Sequence, residues 1–143
     1  MNQVKEILDT KGRDMLTIDA DASVFDAVKQ MVEGGVGALL VTVGGEIMGI
    51  VTERDYLRQM ALEDRSDKET AVREIMSSPL VVVTLETAVD ECMALMTDRR
   101  IRHLPVAEEG KVVGIVSIGD VVKFKSKQQS FEIKYLTDYI TAG

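Results

Sequence analysis

The stretch Gly49-Ile50-Val51-Thr52-Glu53-Arg54-Asp55 returns 65 residues later as Gly114-Ile115-Val116-Ser117-Ile118-Gly119-Asp120. Each copy is an apolar, β-branched run that ends in a hydroxyl residue, and an aspartate follows three residues further on. The same offset relates residues 17–57 to residues 82–122 without a gap. An internal repeat of this extent predicts two copies of one structural unit.

Upstream of residue 17 the repeat continues with a different offset. Val4-Lys5-Glu6-Ile7 matches Val72-Arg73-Glu74-Ile75, 68 residues later, so the first copy carries three extra residues around Thr10 to Asp14. That segment is predicted to be a loop. We therefore predict a first repeat at residues 1–65, a second repeat at residues 66–125 and a C-terminal helical tail at residues 126–143.

Each copy has the same predicted order of elements, which makes a mixed α/β (α+β) fold of two βαββα repeats. Opening strands are predicted at Met15–Ile18 and Leu80–Val83, and first helices at Ser23–Gly34 and Thr87–Arg99. Paired strands around short glycine turns are predicted at Ala38–Val43, Ile47–Thr52, His103–Ala107 and Val112–Ser117. A copy of roughly 60 residues hides its apolar face poorly alone, so we expect the two to pack about a pseudo-twofold axis, with two similar clefts between them.

The helix ends carry their own signals. Asp21 or Ser23 is predicted to cap the first helix of copy one, and Thr87 that of copy two. Gly34-Gly35 is a predicted stop, and the second helices are predicted to begin near Asp55 and Asp120.

Composition and charge narrow the classes of function. The 143 residues carry a net charge of −7, which argues against binding the phosphate backbone of nucleic acid. No apolar run approaches the roughly 20 residues of a membrane span. The N-terminus lacks a signal-peptide pattern, so a cytoplasmic location is expected. Cys92 and His103 are the single cysteine and the single histidine, so we predict no metal site, internal disulfide or catalytic residue.

The repeated hydroxyl–aspartate pair is the first candidate ligand site. Thr52 and Ser117 end a predicted strand, and Asp55 and Asp120 lie in the first turn of the following helix. Free N–H groups at a helix start suit a phosphate, and the hydroxyl donates a further bond. The carboxylate oxygens can accept from both hydroxyls of a ribose. The alternative is that all four residues only cap helices; their recurrence favours ligand binding, and the two roles are compatible.

A second candidate set precedes the paired strands. Arg102 and His103 of the second copy stand where the first copy has Gly37 and Ala38. The cations suit a phosphate, and the small residues let a ligand approach closely. Arg54 is a further phosphate candidate, and the alternative for it is a solvated side chain in the first turn of a helix.

These duplicated features resemble tandem CBS domains, a family named after cystathionine β-synthase. The string Ile101-Arg102-His103-Leu104-Pro105-Val106 is also similar to that family, and the resemblance runs from about Val4 to Phe124. It implies clefts that bind AMP, ADP, ATP, NAD(H) or S-adenosylmethionine as regulatory ligands, not as catalytic cofactors. It also implies a homodimer that acts on an unidentified regulated protein.

The resemblance assigns roles to the matched residues. It implies ribose contacts from Asp55 and Asp120, and contacts on the phosphate side from Thr52, Ser117, Arg102 and His103. It implies that adenine lies against aliphatic groups near Ile18, Val83, Ile50 and Ile115. Because Glu53-Arg54 differs from Ile118-Gly119, the two sites need not be equivalent.

The tail departs from the repeat. Its apolar residues have helical spacing, and they are Phe131, Tyr135, Leu136, Tyr139 and Ile140. A helix with this stripe either packs on its own domain or contacts a partner.

Three functions remain open. The leading interpretation is a non-enzymatic sensor of adenine nucleotides that reads energy or redox state and signals to a partner through a small shift between repeats. A structural dimerisation scaffold with degenerate sites is the second. An enzyme that acts on a nucleotide is the third, and the lone histidine and the absence of a nucleophile motif argue against it.

Overall fold

The computed structural model describes residues 2–63 and 66–128, and the chain within them forms two compact units. The first unit contains residues 14–63, 66–82 and 109–112. The second unit contains residues 2–13, 83–108 and 113–128. The second unit is thus assembled from the start of the chain and from residues about 80 positions later, whereas the first is largely continuous. The predicted stripe from Phe131 to Ile140 lies outside the described residues.

The first unit is built on a three-stranded sheet. Strand β1 (Thr17–Asp19) pairs in parallel with β2 (Ala38–Val43), which pairs antiparallel with β3 (Glu46–Thr52). Helix α2 (Val24–Gly34) connects β1 to β2, and α3 (Glu53–Arg58) follows β3 and continues as a π-helical turn over Gln59–Glu63. A 3-10 helix at Val72–Glu74 completes the unit. Its buried core is Ile18, Ala20, Ala27, Met31, Leu39, Val41, Val51 and Val72.

The second unit repeats this plan, with a helix from the chain start in the place of the 3-10 helix. Helix α1 (Val4–Lys11) comes first in the sequence. Strand β4 (Val83–Thr84) pairs in parallel with β5 (His103–Glu108), which lies beside β6 (Lys111–Ser117). Residues 113–117 of β6 belong to this unit. Helix α4 (Val89–Arg99) connects β4 to β5, and α5 (Ile118–Gln128) follows β6. The buried faces of α1 and α4 supply Val4, Ile7, Leu8, Val89, Cys92 and Met96.

The predicted mixed fold, the first helices and all four paired strands are confirmed to within one or two residues. The opening strands are shorter than predicted and displaced along the chain. Of Leu80–Val83 only Val83 is in a strand, because the ladder to β5 begins at the pair Val83–Val106 and continues to Thr84. In the first unit, pairing likewise begins at Thr17, opposite Leu40.

The predicted helix stops and caps have mixed outcomes. Gly35 ends α2 with φ +64°, and Ser23 caps its start by accepting the Asp26 N–H at 3.0 Å, both as predicted. The prediction of Thr87 as a cap is wrong, because α4 begins one residue later, after Ala88. The Thr87 hydroxyl instead accepts the Thr84 N–H at 2.9 Å within a tight turn. Over residues 2–63 and 66–128, no helix is both long and apolar enough to cross a membrane.

Candidate functional site

The first candidate pair lies where β3 passes into α3. Asp55 Oδ2 accepts the Thr52 N–H at 2.9 Å and the Thr52 hydroxyl at 3.1 Å. In return, Thr52 Oγ1 accepts the Asp55 N–H at 3.3 Å. This reciprocal arrangement is a capping box, so the capping role considered from the sequence is present at this junction.

Among the other candidates of the first copy, Gly37 and Ala38 lie at that junction. The Gly37 carbonyl accepts the Glu53 N–H at 3.0 Å, and Ala38 lies opposite Thr52 in the sheet. The structure therefore brings Gly37, Ala38, Thr52 and Asp55 together. Arg54 is exposed in the first turn of α3.

Two aliphatic candidates of the first copy lie further along the sheet. Ile50 is half-buried, and its backbone exchanges both hydrogen bonds with Ser77, at 2.9 and 3.1 Å. Ile18 is only 8% exposed and belongs to the core of the unit. Ile50 thus offers more surface to a ligand than Ile18 does.

A cavity of about 210 Å³ opens beside Asp55. Its lining comes from α3, the π-helical turn and the 3-10 helix, and the residues are Asp55, Arg58, Gln59, Glu74 and Ile75. Pockets for whole small molecules usually exceed about 300 Å³, so this cavity is smaller than that class. Four of these five residues were not predicted, and two of them, Glu74 and Ile75, reach α3 only through the tertiary fold.

The second candidate pair repeats the junction geometry between β6 and α5. Asp120 Oδ2 accepts the Ser117 N–H at 2.8 Å, and Ser117 Oγ accepts the Asp120 N–H at 3.1 Å. The Arg102 carbonyl accepts the Ile118 N–H at 2.8 Å, which is the counterpart of the Gly37–Glu53 bond. The structure therefore brings Arg102, Ser117 and Asp120 to one junction.

The remaining candidates of the second copy differ in exposure. His103 follows Arg102 at the start of β5 and is half-buried, as is Ile115 on β6, while Arg102 itself is exposed. Val83 is 4% exposed and pairs with Val106 inside the sheet. Contacts of adenine with Val83, and with Ile18 in the first unit, stay predictions on residues that present little surface.

Lys11 is a site residue that the sequence reasoning missed. It lies in the last turn of α1, and its ammonium donates to Asp120 Oδ2 at 2.6 Å and to the Ile115 carbonyl at 2.9 Å. The contact joins positions 109 residues apart. The available signal was indirect, since Lys11 falls in the segment that carries the three extra residues.

The two aspartates differ in acidity because their surroundings differ. Burial raises the pKa of Asp55, and hydrogen bonds from Thr52 and the charges of Arg58 and Arg54 offset that effect only in part. Burial also raises the pKa of Asp120, but the Lys11 ammonium and the Ser117 donors outweigh it and hold the pKa below its ordinary value. One carboxylate is therefore poorly compensated and the other well compensated.

The described residues offer little for covalent or metal chemistry. Cys92 is fully buried on α4, and burial, together with the nearby Glu91 charge, raises the pKa of its thiol to about 11. A thiol with that pKa holds its proton near neutral pH. Within residues 2–63 and 66–128, no group of three or more His, Cys, Asp or Glu side chains is arranged to hold a metal ion.

Comparisons of sequence and of structure both find similarity to proteins with CBS domains. The family model of the CBS domain matches residues 4–62 and 72–127. CBSX3, a mitochondrial CBS domain-containing protein of Arabidopsis thaliana, is 42% identical over 149 residues, which cover 98% of this chain and 72% of the relative. A structure of a protein with CBS domains from Burkholderia ambifaria MC40-6 is 49% identical, with a TM-score of 0.86, and the match covers 89% of this chain and 96% of that one.

A more distant structure carries ligands. It is the CBS domain pair of protein MJ0100, solved in complex with 5′-methylthioadenosine and S-adenosyl-L-methionine. The two chains are 23% identical, with a TM-score of 0.76 over 88% of this chain and 97% of the other. At that identity the likeness shows a shared fold.

Proposed function

The chain belongs to the CBS-domain family, and from that premise we propose that it is a regulatory protein that binds adenosine-containing ligands without acting on them chemically. The observation that carries the proposal is the twofold occurrence of one junction. In each unit a strand ends in a hydroxyl, an aspartate follows in the next helix, and the carbonyl of Gly37 or Arg102 accepts the first helical N–H.

The chemistry of each junction suits a ribose and a phosphate. Asp55 and Asp120 each have carboxylate oxygens that can accept from the 2′- and 3′-hydroxyls of a ribose. The phosphate is assigned to Thr52 and Ser117 as hydroxyl donors, to the cations Arg54 and Arg102, and to the His103 imidazole. Ile50 and Ile115 are half-buried and offer aliphatic surface to adenine, with smaller contributions from Ile18 and Val83.

The ligand class rests on what the known ligands have in common. Protein MJ0100, which shares the fold, was solved with two ligands that both contain adenosine. Adenosine is also the common part of AMP, ADP, ATP, NAD(H) and S-adenosylmethionine, so a site that reads ribose and adenine accepts any of them. The phosphate-side cations favour the nucleotides within this group.

The regulatory role extends the proposal to partners. We assign the protein a homodimeric state, a cytoplasmic location and a regulated protein partner that responds to ligand occupancy. The buried, protonated Cys92 offers no nucleophile for an enzymatic alternative. A size-exclusion measurement with light scattering tests the dimer, and a monomeric mass would contradict that part of the proposal.

A structural scaffold is the second candidate, and one observation favours it. Asp55 and Asp120 both already accept hydrogen bonds from their own helix junctions. If capping were their whole role, the junctions would need no ligand. Saturating adenine nucleotides would then leave the melting temperature unchanged, because a ligand that does not bind the native state cannot stabilise it.

The test is calorimetric titration of nucleotide-stripped protein with AMP, ATP, NAD⁺, NADH and S-adenosylmethionine. We expect saturable binding of at least one, and about a tenfold or larger loss at the altered site in Asp55→Asn and Asp120→Asn, since a hydrogen bond to a charged group contributes about 1.5–3 kcal/mol. The matched control is Asp26→Asn, which makes the same change in the first turn of α2, where the side chain is exposed. Binding by none of the five ligands would contradict the proposal.

A further inference from the structure

We propose that Lys11 controls access to Asp120, so that the site of the second unit binds a ribose ligand more weakly than the site of the first unit does. This inference rests on the proposed function. Its basis is the pair of contacts that the Lys11 ammonium makes, to Asp120 Oδ2 at 2.6 Å and to the Ile115 carbonyl at 2.9 Å.

The first unit satisfies the same two acceptors in a different way. The Ile50 carbonyl, the counterpart of Ile115, accepts the backbone N–H of Ser77 at 2.9 Å. Asp55 Oδ2, the counterpart of Asp120 Oδ2, accepts the hydroxyl of Thr52 at 3.1 Å. One lysine side chain in the second unit therefore does what a backbone amide and a local hydroxyl do in the first.

The lysine is supplied by the segment that distinguishes the copies. Lys11 falls within Thr10 to Asp14, where the first copy has three more residues than the second. Helix α1 ends directly after it, at Gly12 with φ +92°, whose N–H donates to the Leu8 carbonyl at 2.8 Å. Because Leu8 is buried, the backbone of Lys11 is held in place while its long side chain can move.

A ribose whose two hydroxyls bind both oxygens of Asp120 competes with the lysine for Oδ2. Asp120 Oδ2 already accepts from Ser117 N–H and from Lys11, which use the two lone pairs of that oxygen. In the first unit a ligand displaces only the Thr52 hydroxyl, which reorients by rotation. The side chains of Lys11 and Asp120 are 32% and 21% exposed, so the displaced ammonium can reach water and the ion pair can open reversibly.

The experiment isolates the second site in an Asp55→Asn background. The asparagine side-chain oxygen at residue 55 can still accept a hydrogen bond from Thr52, so the helix cap is kept. Adenosine is the probe, because it is neutral and its affinity does not respond directly to a lost charge. We expect Lys11→Met in this background to bind adenosine about three- to tenfold more tightly than the parent, because the ribose no longer competes with a partly exposed ion pair. Lys11→Arg retains the pair and should bind as the parent does.

Two controls separate this effect from others. Lys5→Met removes an equal charge from the exposed side of the same helix and should not change adenosine affinity. The probe 2′,3′-dideoxyadenosine lacks the hydroxyls that compete for Asp120, so Lys11→Met should give it no gain. A gain of equal size in Lys5→Met, or with the dideoxy probe, would overturn the inference.

The outcomes also distinguish the inference from the proposed function. If the wild-type chain binds adenosine and Lys11→Met leaves both site affinities unchanged, the inference is wrong and the proposed function stands. If neither the wild type nor any variant binds adenosine or any of the five titrated ligands, both are wrong, and if the nucleotides bind while adenosine binds no variant, only the inference is wrong. Binding that appears at the second site only after Lys11→Met would support both.

Discussion

At the scale of single residues, two aspartates at equivalent positions have different charge environments. Asp55 accepts two hydrogen bonds from Thr52, and burial raises its pKa. Asp120 accepts hydrogen bonds from the Ser117 N–H and from the Lys11 ammonium, and these donors lower its pKa. The same sequence motif therefore occurs in two environments. The surroundings of Asp55 disfavour its ionised form, and those of Asp120 favour it.

The lowered pKa of Asp120 predicts a specific pH dependence of stability. A carboxyl whose pKa is lower in the folded state contributes stability above its unfolded pKa, near 3.8, and loses it as pH falls through the folded value. We expect the stability advantage of the wild type over Asp120→Asn to be full at about pH 7 and to shrink as the pH falls below about 4. Urea unfolding across this range measures it.

The control for this prediction removes the cause of the shift. In a Lys11→Met background, burial is no longer opposed by the ammonium, so Asp120→Asn should change the pH dependence less. A difference between wild type and Asp120→Asn that does not shrink as the pH falls below about 4 would show that Asp120 is not stabilised in its ionised form.

Glycines of the two copies give a second residue-scale prediction. A Cβ on Gly49 would lie 2.8 Å from Met76 Sδ and 3.0 Å from the Ser77 carbonyl oxygen, which is backbone and cannot yield. We expect Gly49→Ala to lower the free energy of unfolding by about 1–3 kcal/mol. Chemical denaturation measures the change.

Gly119 provides the matched control, since its Cβ would meet only Ser117 Oγ, at an ordinary 3.5 Å. It lies in the first turn of α5, where alanine is a better helix former than glycine. Gly119→Ala should therefore be neutral or stabilising. Equal losses at Gly49 and Gly119 would show that the contact at Ser77 is not what excludes a side chain.

At the scale of elements, the two copies begin their first helices differently. Ser23 caps α2 with its hydroxyl, whereas the equivalent residue before α4 is Ala88, which has no capping side chain. Both residues have extended backbone dihedrals, with ψ of 153° and 142°, so the backbone of Ala88 already suits a capping serine.

Reciprocal substitutions test this difference. We expect Ser23→Ala to cost about 0.5–2 kcal/mol of unfolding free energy, because the Asp26 N–H loses its partner. Ala88→Ser should stabilise the chain by up to about 1 kcal/mol, since it supplies the missing acceptor. Thermal and urea unfolding of both variants provide the comparison, and a destabilising Ala88→Ser would mean that the site does not accept a cap.

Helices and paired strands were predictable because their signals are local. The spacing of apolar residues in α2 and the glycine turn between β2 and β3 each lie within one short window of sequence. The opening strands were displaced because a strand exists only where a partner lies beside it, and Leu80 to Val82 have none in the sheet described. Strand propensity does not determine which residue of an apolar run pairs with the adjacent strand.

At the scale of the whole chain, the repeat predicted the candidate residues but not their full surroundings. The hydroxyl–aspartate pairs lie three residues apart, so a motif was enough to find them. Lys11 meets Asp120 across 109 positions, and Glu74 and Ile75 reach the cavity beside Asp55 only through the fold. No local pattern encodes such contacts, and without them the unequal pKa values of the two aspartates were not predictable.

The start of the chain completes the second unit, and this gives a prediction for the whole molecule. Leu8 is 1% exposed, and its side chain lies against Gly114, where an added Cβ would meet it at 3.0 Å. Leu8→Ala should lower the free energy of unfolding by about 2–5 kcal/mol, because it leaves a cavity in that unit. Lys5→Ala, an exposed change on the same helix, should alter stability by less than about 0.5 kcal/mol.

Hydrogen exchange can tell where the Leu8→Ala chain opens. The Val89 N–H donates to the Asn2 carbonyl at 2.8 Å, and its counterpart in the first unit, the Val24 N–H, donates to the Thr70 carbonyl at 2.8 Å. If α1 is integral to the second unit, Leu8→Ala should speed exchange at Val89 more than at Val24, because only the first bond depends on the chain start. Equal acceleration at both amides would mean that the molecule opens as a whole, and that α1 stabilises both units alike.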